Sequence, residues 1–146
     1  MFEDLRELAV EYALSFLNFP YVYNRQSPFI GFDCSGLMVE VLRGVGLLKL
    51  KEDLSAESLC FKFSKNSCVQ PKPGCLLFFG KDPNHIEHVG MCIHVDREIG
   101  PIMIEAGGGD STTTTPELAK QRDARVRIRP MMSRSDYVCA VNPFGA

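Results

Sequence analysis

The chain has 146 residues, a formal net charge of −2 and 45% hydrophobic residues. This is one domain's worth of sequence, 1–146, apolar enough to build a core without disulfides or a structural metal. The near-balanced charge leaves no basic excess for nucleic acid and no polybasic run for an anionic membrane, and no apolar run is long enough to span a bilayer.

The opening Met1-Phe2-Glu3-Asp4-Leu5-Arg6-Glu7 is charged and amphipathic, unlike a secretory leader. Synthesis in a reducing cytoplasm, with free thiols, is therefore expected. Leu5, Leu8, Ala9, Tyr12, Ala13, Phe16 and Leu17 recur at helical spacing and predict a helix over 3–17, stopped by Asn18 and Pro20. Tyr21-Val22-Tyr23 reads as a short extended piece, and 24–31, with Pro28 and Gly31, as a loop. A second helix starts at Asp33-Cys34-Ser35-Gly36. Asp33 is its expected N-cap, Leu37, Met38, Val41, Leu42 and Val45 its apolar face, and Gly44 and Gly46 its exit.

Asp53 or Ser55 can cap a short helix through Ala56, Leu59 and Phe63. Pro71-Lys72-Pro73-Gly74 is a turn. Strands are predicted over 75–79, 88–95 and 102–106, with turns at 80–84 and 96–101. The middle strand carries His88, Gly90, Cys92 and His94 on one face and Val89, Met91, Ile93 and Val95 on the other. After Gly107-Gly108-Gly109 and the Thr112–Thr115 run, Pro116 opens a helix to about 123, capped by Thr114 or Thr115. Arg125-Val126-Arg127-Ile128-Arg129 alternates as a half-exposed strand, its arginines expected on a solvated face. Residues 137–141 form a last strand. Helices first and strands after argue for an α+β fold with a mostly antiparallel sheet.

Six cysteines, Cys34, Cys60, Cys68, Cys75, Cys92 and Cys139, are irregularly spaced. No C-x-x-C occurs, and Cys75, His85, His88 and Cys92 lack a ligand pair on a tight turn, so neither a metal nor another cofactor is expected. Cys34 stands apart, because the positive end of a helix stabilises a thiolate and first-turn N–H groups suit an oxyanion. A cysteine nucleophile needs a base and the base an orienter. Of the three histidines, His85 sits in a polar turn and His94 near a hairpin, which leaves His88, at a strand start, as the candidate base. If strands 88–95 and 102–106 pair, Glu105 falls near His88 and can hold its ring.

Read together, several motifs resemble the NlpC-like papain-fold cysteine peptidases, which cleave peptides of the bacterial cell wall. They are Pro20-Tyr21, Phe32-Asp33-Cys34-Ser35-Gly36-Leu37, Pro73-Gly74-Cys75-Leu76-Leu77-Phe78-Phe79, His88-Val89-Gly90-Met91 and Met103-Ile104-Glu105-Ala106. The resemblance implies a papain-like α+β fold, with N-terminal helices packed on a sheet of about five to six strands. It implies Cys34 as nucleophile, His88 as general base and Glu105 as third polar residue, where the family most often has histidine. Tyr21 matches a cleft tyrosine, and Asp33 and Ser35 flank the nucleophile as substrate-binding candidates. The implied substrate is the γ-D-glutamyl–diamino-acid link of peptidoglycan stem peptides. Where the family usually has Asp after Pro-Gly, Cys75 stands here, so a local hydrogen bond is expected to be missing.

In overall plan the chain is similar to compact NlpC-like proteins of tailed phages and prophages. The shared features are the Gly-rich loop, the Thr run, the Pro-led helix and the Arg-Val-Arg-Ile-Arg strand. This implies a tail-associated wall hydrolase with phage tail proteins as partners. Two other readings use the same residues: a non-catalytic tail-assembly protein, which the Glu105 and Cys75 departures favour, and an amidase or acyltransferase on the same scaffold.

Overall fold

In the computed structural model, which describes residues 2–145, the helical periodicity at the start of the chain becomes α1, Phe2–Leu14. Met1 and Ala146, the ends of the span expected to fold as one domain, lie outside the described residues. The helix ends three residues before Leu17. Its last turn tightens, with the Phe16 and Leu17 N–H groups reaching the carbonyls of Ala13 and Leu14, and Asn18 then reverses the chain at φ 73°. Ala9, Ala13 and Phe16 are buried on the inner side.

The stretch expected as a plain loop contains a small antiparallel ribbon of β1 (Gln26–Ser27) and β2 (Gly31–Phe32). Next come α2 (Cys34–Gly44) and α3 (Ala56–Lys62), the latter capped by the Ser55 hydroxyl, which accepts from the Ser58 N–H. The strands are β3 (Ser67–Cys68), β4 (Leu76–Asp82), β5 (His85–Asp96), β6 (Gly100–Gly107), β7 (Arg125–Pro130) and β8 (Tyr137–Val141). Between β6 and β7 lies α4 (Pro116–Gln121), capped by Thr115. The turn predicted over 80–84 shrinks to its tip. Gly80–Asp82 continue β4 through a bulge, and His85 already begins β5, because ladder bonding carries the polar strand ends past the point where the apolar pattern stops.

All neighbouring strands of the six-stranded sheet run antiparallel, in the order β3-β8-β4-β5-β6-β7. This is the α+β arrangement expected. The central strands are buried on both faces. Leu76, Phe78, Val89, Met91, Ile104 and Ala106 pack beneath α1, α2 and α3 in the main core. Leu77, Phe79, Cys92, Met103, Met131 and Ala140 form a second cluster on the other face. The period-two alternation along β4, β5 and β6 sorts side chains between the two clusters. It also puts His88 and Gly90 on the face of Cys92, and Glu105 on the face of Met103.

Candidate active site

Cys34 is the first residue of α2, half-buried, with Asp33 before it in extended conformation. One Asp33 carboxylate oxygen accepts from the Gly36 N–H at 2.8 Å and the Ser35 hydroxyl at 3.4 Å, and the other from the Asn24 N–H at 2.8 Å. Burial pushes the Asp33 pKa up more than these bonds pull it down. The cap thus does two jobs: it starts the helix and ties the helix start to the loop before β1. Gly36 is required by close approach, since a Cβ there would lie 1.9 Å from the Arg25 carbonyl oxygen. The N–H groups of this first turn have no carbonyl one turn back, and those of Cys34 and Ser35 have no acceptor among the described residues.

His88 and Glu105 meet inside the sheet. The His88 Nε2 and Glu105 Oε1 are 2.6 Å apart, and both residues are buried. The ladder sets Met91 opposite Ile104, so Glu105 sits diagonally from His88 across Gly90. A Cβ on Gly90 would come within 2.9 Å of the Met103 sulfur and 3.5 Å of the Glu105 Cβ, so glycine leaves the Met103 side chain its place beside the pair. Burial lowers the His88 pKa, but the hydrogen bonds and charges of Cys34 and Glu105 outweigh it and hold the ring up at about 9. With Nε2 taken by Glu105, Nδ1 is the ring atom left for Cys34. Burial alone would raise the Glu105 pKa; His88 and then Arg127 hold it down at about 2. The arrangement therefore favours a charged carboxylate beside a protonated ring.

All three arginines of β7 are part-exposed, but two of them also reach toward the buried carboxylate of Glu105. Arg127, directly opposite Glu105 in the β6–β7 ladder, donates from Nε to Oε2 at 2.9 Å, and Arg129 Nη1 lies 3.8 Å from the same oxygen. Arg125 pairs instead with Asp123 and Asn18. The alternation of the strand was visible in the sequence, but which face met Glu105 depended on register. His85 is exposed and paired with Asp82, and His94 is also exposed.

Two hollows meet at Cys34 and Glu87. The larger, about 450 Å³, is lined by Asp33, Ser35, Tyr23, Asp53 and Glu57 among others. The smaller, about 280 Å³, is lined by Tyr21, His88, the Ala106–Gly109 backbone and Arg134. Tyr21 is buried, and burial followed by the Cys34 charge pushes its hydroxyl pKa up. Thiol, imidazole and carboxylate at the junction of an open cleft form a set able to carry out nucleophilic acyl transfer.

The model of the NlpC/P60 family matches residues 18–134, a span that contains every one of these side chains. The chain belongs to the NlpC/P60 family. This is a family of cysteine peptidases that hydrolyse peptidoglycan. No curated protein sequence matches the chain. Among solved structures it is similar to the P60 domain of antigen MAP1204 from M. avium subspecies paratuberculosis, with TM-score 0.69 and 20% identity over 99% of this chain and 98% of that one. It is also similar to the NlpC/p60 domain of the peptidoglycan hydrolase SagA, with TM-score 0.67 and 24% identity over 94% and 97%. NlpC1 from Trichomonas vaginalis has TM-score 0.68 and 17% identity over 94% of this chain, which spans only 43% of that protein. At these identities the likeness is one of fold.

Within this NlpC/P60 chain the unusual Cys75 is buried, with its sulfur 3.2 Å from that of Cys68. Sequence reasoning missed Arg127, Arg134 and Glu87. Only the alternating Arg-Val-Arg-Ile-Arg pattern held a signal, and only for Arg127.

Proposed function

We propose that the protein is a cysteine endopeptidase of peptidoglycan stem peptides, acting as one catalytic domain over 1–146 and cleaving the γ-D-glutamyl–diamino-acid amide. Cys34 is the nucleophile. Its proton passes to His88 Nδ1, the sulfur adds to the scissile carbonyl, and the oxyanion is held by first-turn N–H groups of α2. His88 then gives the proton to the leaving amine. Water, deprotonated by the same ring, releases the acyl group and regenerates the thiol. Glu105 holds the His88 ring and balances its charge, while Tyr21, Asp33 and Ser35 shape the cleft on either side of the sulfur. The observation that carries this reading is the His88–Glu105 pair at 2.6 Å, with Cys34 among the groups acting on the His88 ring.

Digestion of purified peptidoglycan, with the fragments read by mass, tests it. Free γ-D-glutamyl termini and new diamino-acid amines are expected, and Cys34→Ala and His88→Ala should abolish them. Fragments cut elsewhere, or release that persists in Cys34→Ala, would refute the assignment. The same reading sets the protein in a phage or prophage tail. Its support is the sequence plan after Glu105, and detection of the chain in purified particles tests it.

A further inference from the structure

Holding an imidazole ring requires only an acceptor, and Glu105 brings a full negative charge with it. The neighbouring strand answers that charge. Arg127 lies directly opposite Glu105 in the β6–β7 ladder and donates from Nε to Oε2 at 2.9 Å, the oxygen not taken by His88. Apart from the His88 contact, this is the only hydrogen bond to the Glu105 side chain among the described residues. A Cβ on Gly107 would come 2.8 Å from both Arg127 Nη2 and Glu105 Oε2, so the bare backbone there leaves the pair its place. Arg127 is 23% exposed and Glu105 1%, so water screens the contact only in part. Arg129 Nη1, at 3.8 Å, is too distant for a hydrogen bond. The other charged and titratable groups around the ring are the Cys34 thiol from α2, Glu87 on β5, Asp110 after β6, and Arg134 with Asp136 before β8. Arg134 and Asp136 pair with each other, Asp110 with Thr112 and Arg122, and Glu87 is exposed.

A carboxylate with nothing to cancel it would keep the proton on His88 to higher pH. It would also oppose a negative sulfur at Cys34, so both ionisations would move up together. We propose that Arg127 is a positioning residue for the acid–base pair: it holds Glu105 aimed at His88 Nε2 and cancels its charge, so that Cys34 and His88 exchange their proton as they would beside a neutral acceptor. Arg127 acts through Glu105 and touches no substrate, and its part rests on Cys34 as nucleophile and His88 as base. Burial raises the Glu105 pKa, but His88 and then Arg127 hold it down at about 2. The carboxylate is therefore charged through the neutral range, and a cation, not a proton, has to cancel it. Two part-screened unit charges at such close range move a titration by on the order of one pH unit.

Two readouts that need no substrate test this: the pH dependence of Cys34 alkylation by neutral iodoacetamide, and the His88 titration by imidazole NMR. Arg127→Gln should move both midpoints up by on the order of one pH unit. Glu105→Gln, which leaves the guanidinium uncancelled, should move both down. The double variant Arg127→Gln/Glu105→Gln should return both to near the wild-type positions, and Arg127→Lys should keep them there. Opposite shifts that cancel are the mark of charge, whereas a residue that only supports its strand would lower stability and move neither midpoint. Midpoints unmoved in Arg127→Gln, shifts of the same sign in both single variants, or a double variant that stays with Glu105→Gln would each overturn the proposal.

His88→Ala separates this from failure of the nucleophile and base assignment. If that variant leaves the Cys34 alkylation profile in place, thiol and ring are not a pair, and Arg127 loses its role with them. If it moves the profile but Arg127→Gln does not, the pair stands and the part given to Arg127 is refuted. Should Arg127→Gln, with its lone buried carboxylate, fail to fold, the double variant and Arg127→Lys still decide: both must lie with the wild type, and midpoints displaced from it in either refute the role.

Discussion

At the scale of single residues, one carboxylate organises the site. Glu105 is 1% exposed yet faces His88 with one oxygen and Arg127 with the other. A buried carboxylate is costly unless it is paired, and here both oxygens are engaged by cations. Glu105→Ala, which leaves Arg127 and the ring without their partner, should cost about 3–5 kcal/mol, read by chemical denaturation. It should also move the His88 titration, followed by imidazole NMR, from about 9 down toward its ordinary 6.5. With leaving-group protonation assigned to His88, kcat/KM should fall on the alkaline side as pH passes about 9. The thiols offer a direct readout as well. Burial, with help from neighbouring sulfurs, pushes Cys60 and Cys68 up to about 12, and burial pushes Cys92 up to about 11. Near neutral pH, Cys34 should therefore be alkylated well before these three, and His88→Ala should slow it. Equal labelling of all the thiols, read by mass mapping, would contradict this.

At the scale of elements, the start of α2 is set by a few atoms. Asp33 caps the helix and also binds the Asn24 N–H, so its loss frees two links at once. Asp33→Ala should lower stability by about 1–2 kcal/mol and reduce turnover further, because Cys34 is the next residue. Asp33→Asn, which keeps an accepting oxygen, should recover most of the stability. Gly36→Ala should be worse than either, since the added carbon would overlap the Arg25 carbonyl and neither backbone can yield without moving Cys34. Thermal unfolding beside the alkylation rate of Cys34 distinguishes loss of fold from displacement of the thiol. On the sheet side, Gly90 makes room for the Met103 side chain next to the place where His88 and Glu105 join.

At the scale of the whole molecule, the sheet has apolar clusters on both faces and carries its charged pair at the boundary of one of them. The pair links stability to pH in both directions. His88 is raised from 6.5 to about 9, so its contribution is complete below about pH 6.5 and is lost as pH rises through 9. Glu105 is lowered from 4.5 to about 2, so its contribution is complete above about pH 4.5 and is lost as pH falls through 2. The stability difference between wild type and Glu105→Ala should accordingly be greatest between these limits and shrink toward pH 9, as denaturation curves at several pH values will show. Phe78→Ala, which empties a fully buried site in the main core, should cost about 3–5 kcal/mol at any pH.

The sequence by itself determined the main helices and the central strands, but not the short strands β1, β2 and β3. Apolar spacing marked α1, α2 and the central strands. Asp33 marked the start of α2, and Asp53 or Ser55 and Thr114 or Thr115 narrowed two further starts to a pair each, because capping is a matter of adjacent residues. The structure chose Ser55 and Thr115. The ordered motifs around Cys34, His88 and Glu105 pointed to the family. Tertiary structure alone decided what depends on partners distant along the chain: β8 lying between β3 and β4, Arg127 facing Glu105, Cys68 meeting Cys75, and Arg134 reaching the hollow beside Cys34. Local periodicity says that a strand alternates. Which face meets which neighbour follows from register, and register is set by how the whole sheet packs.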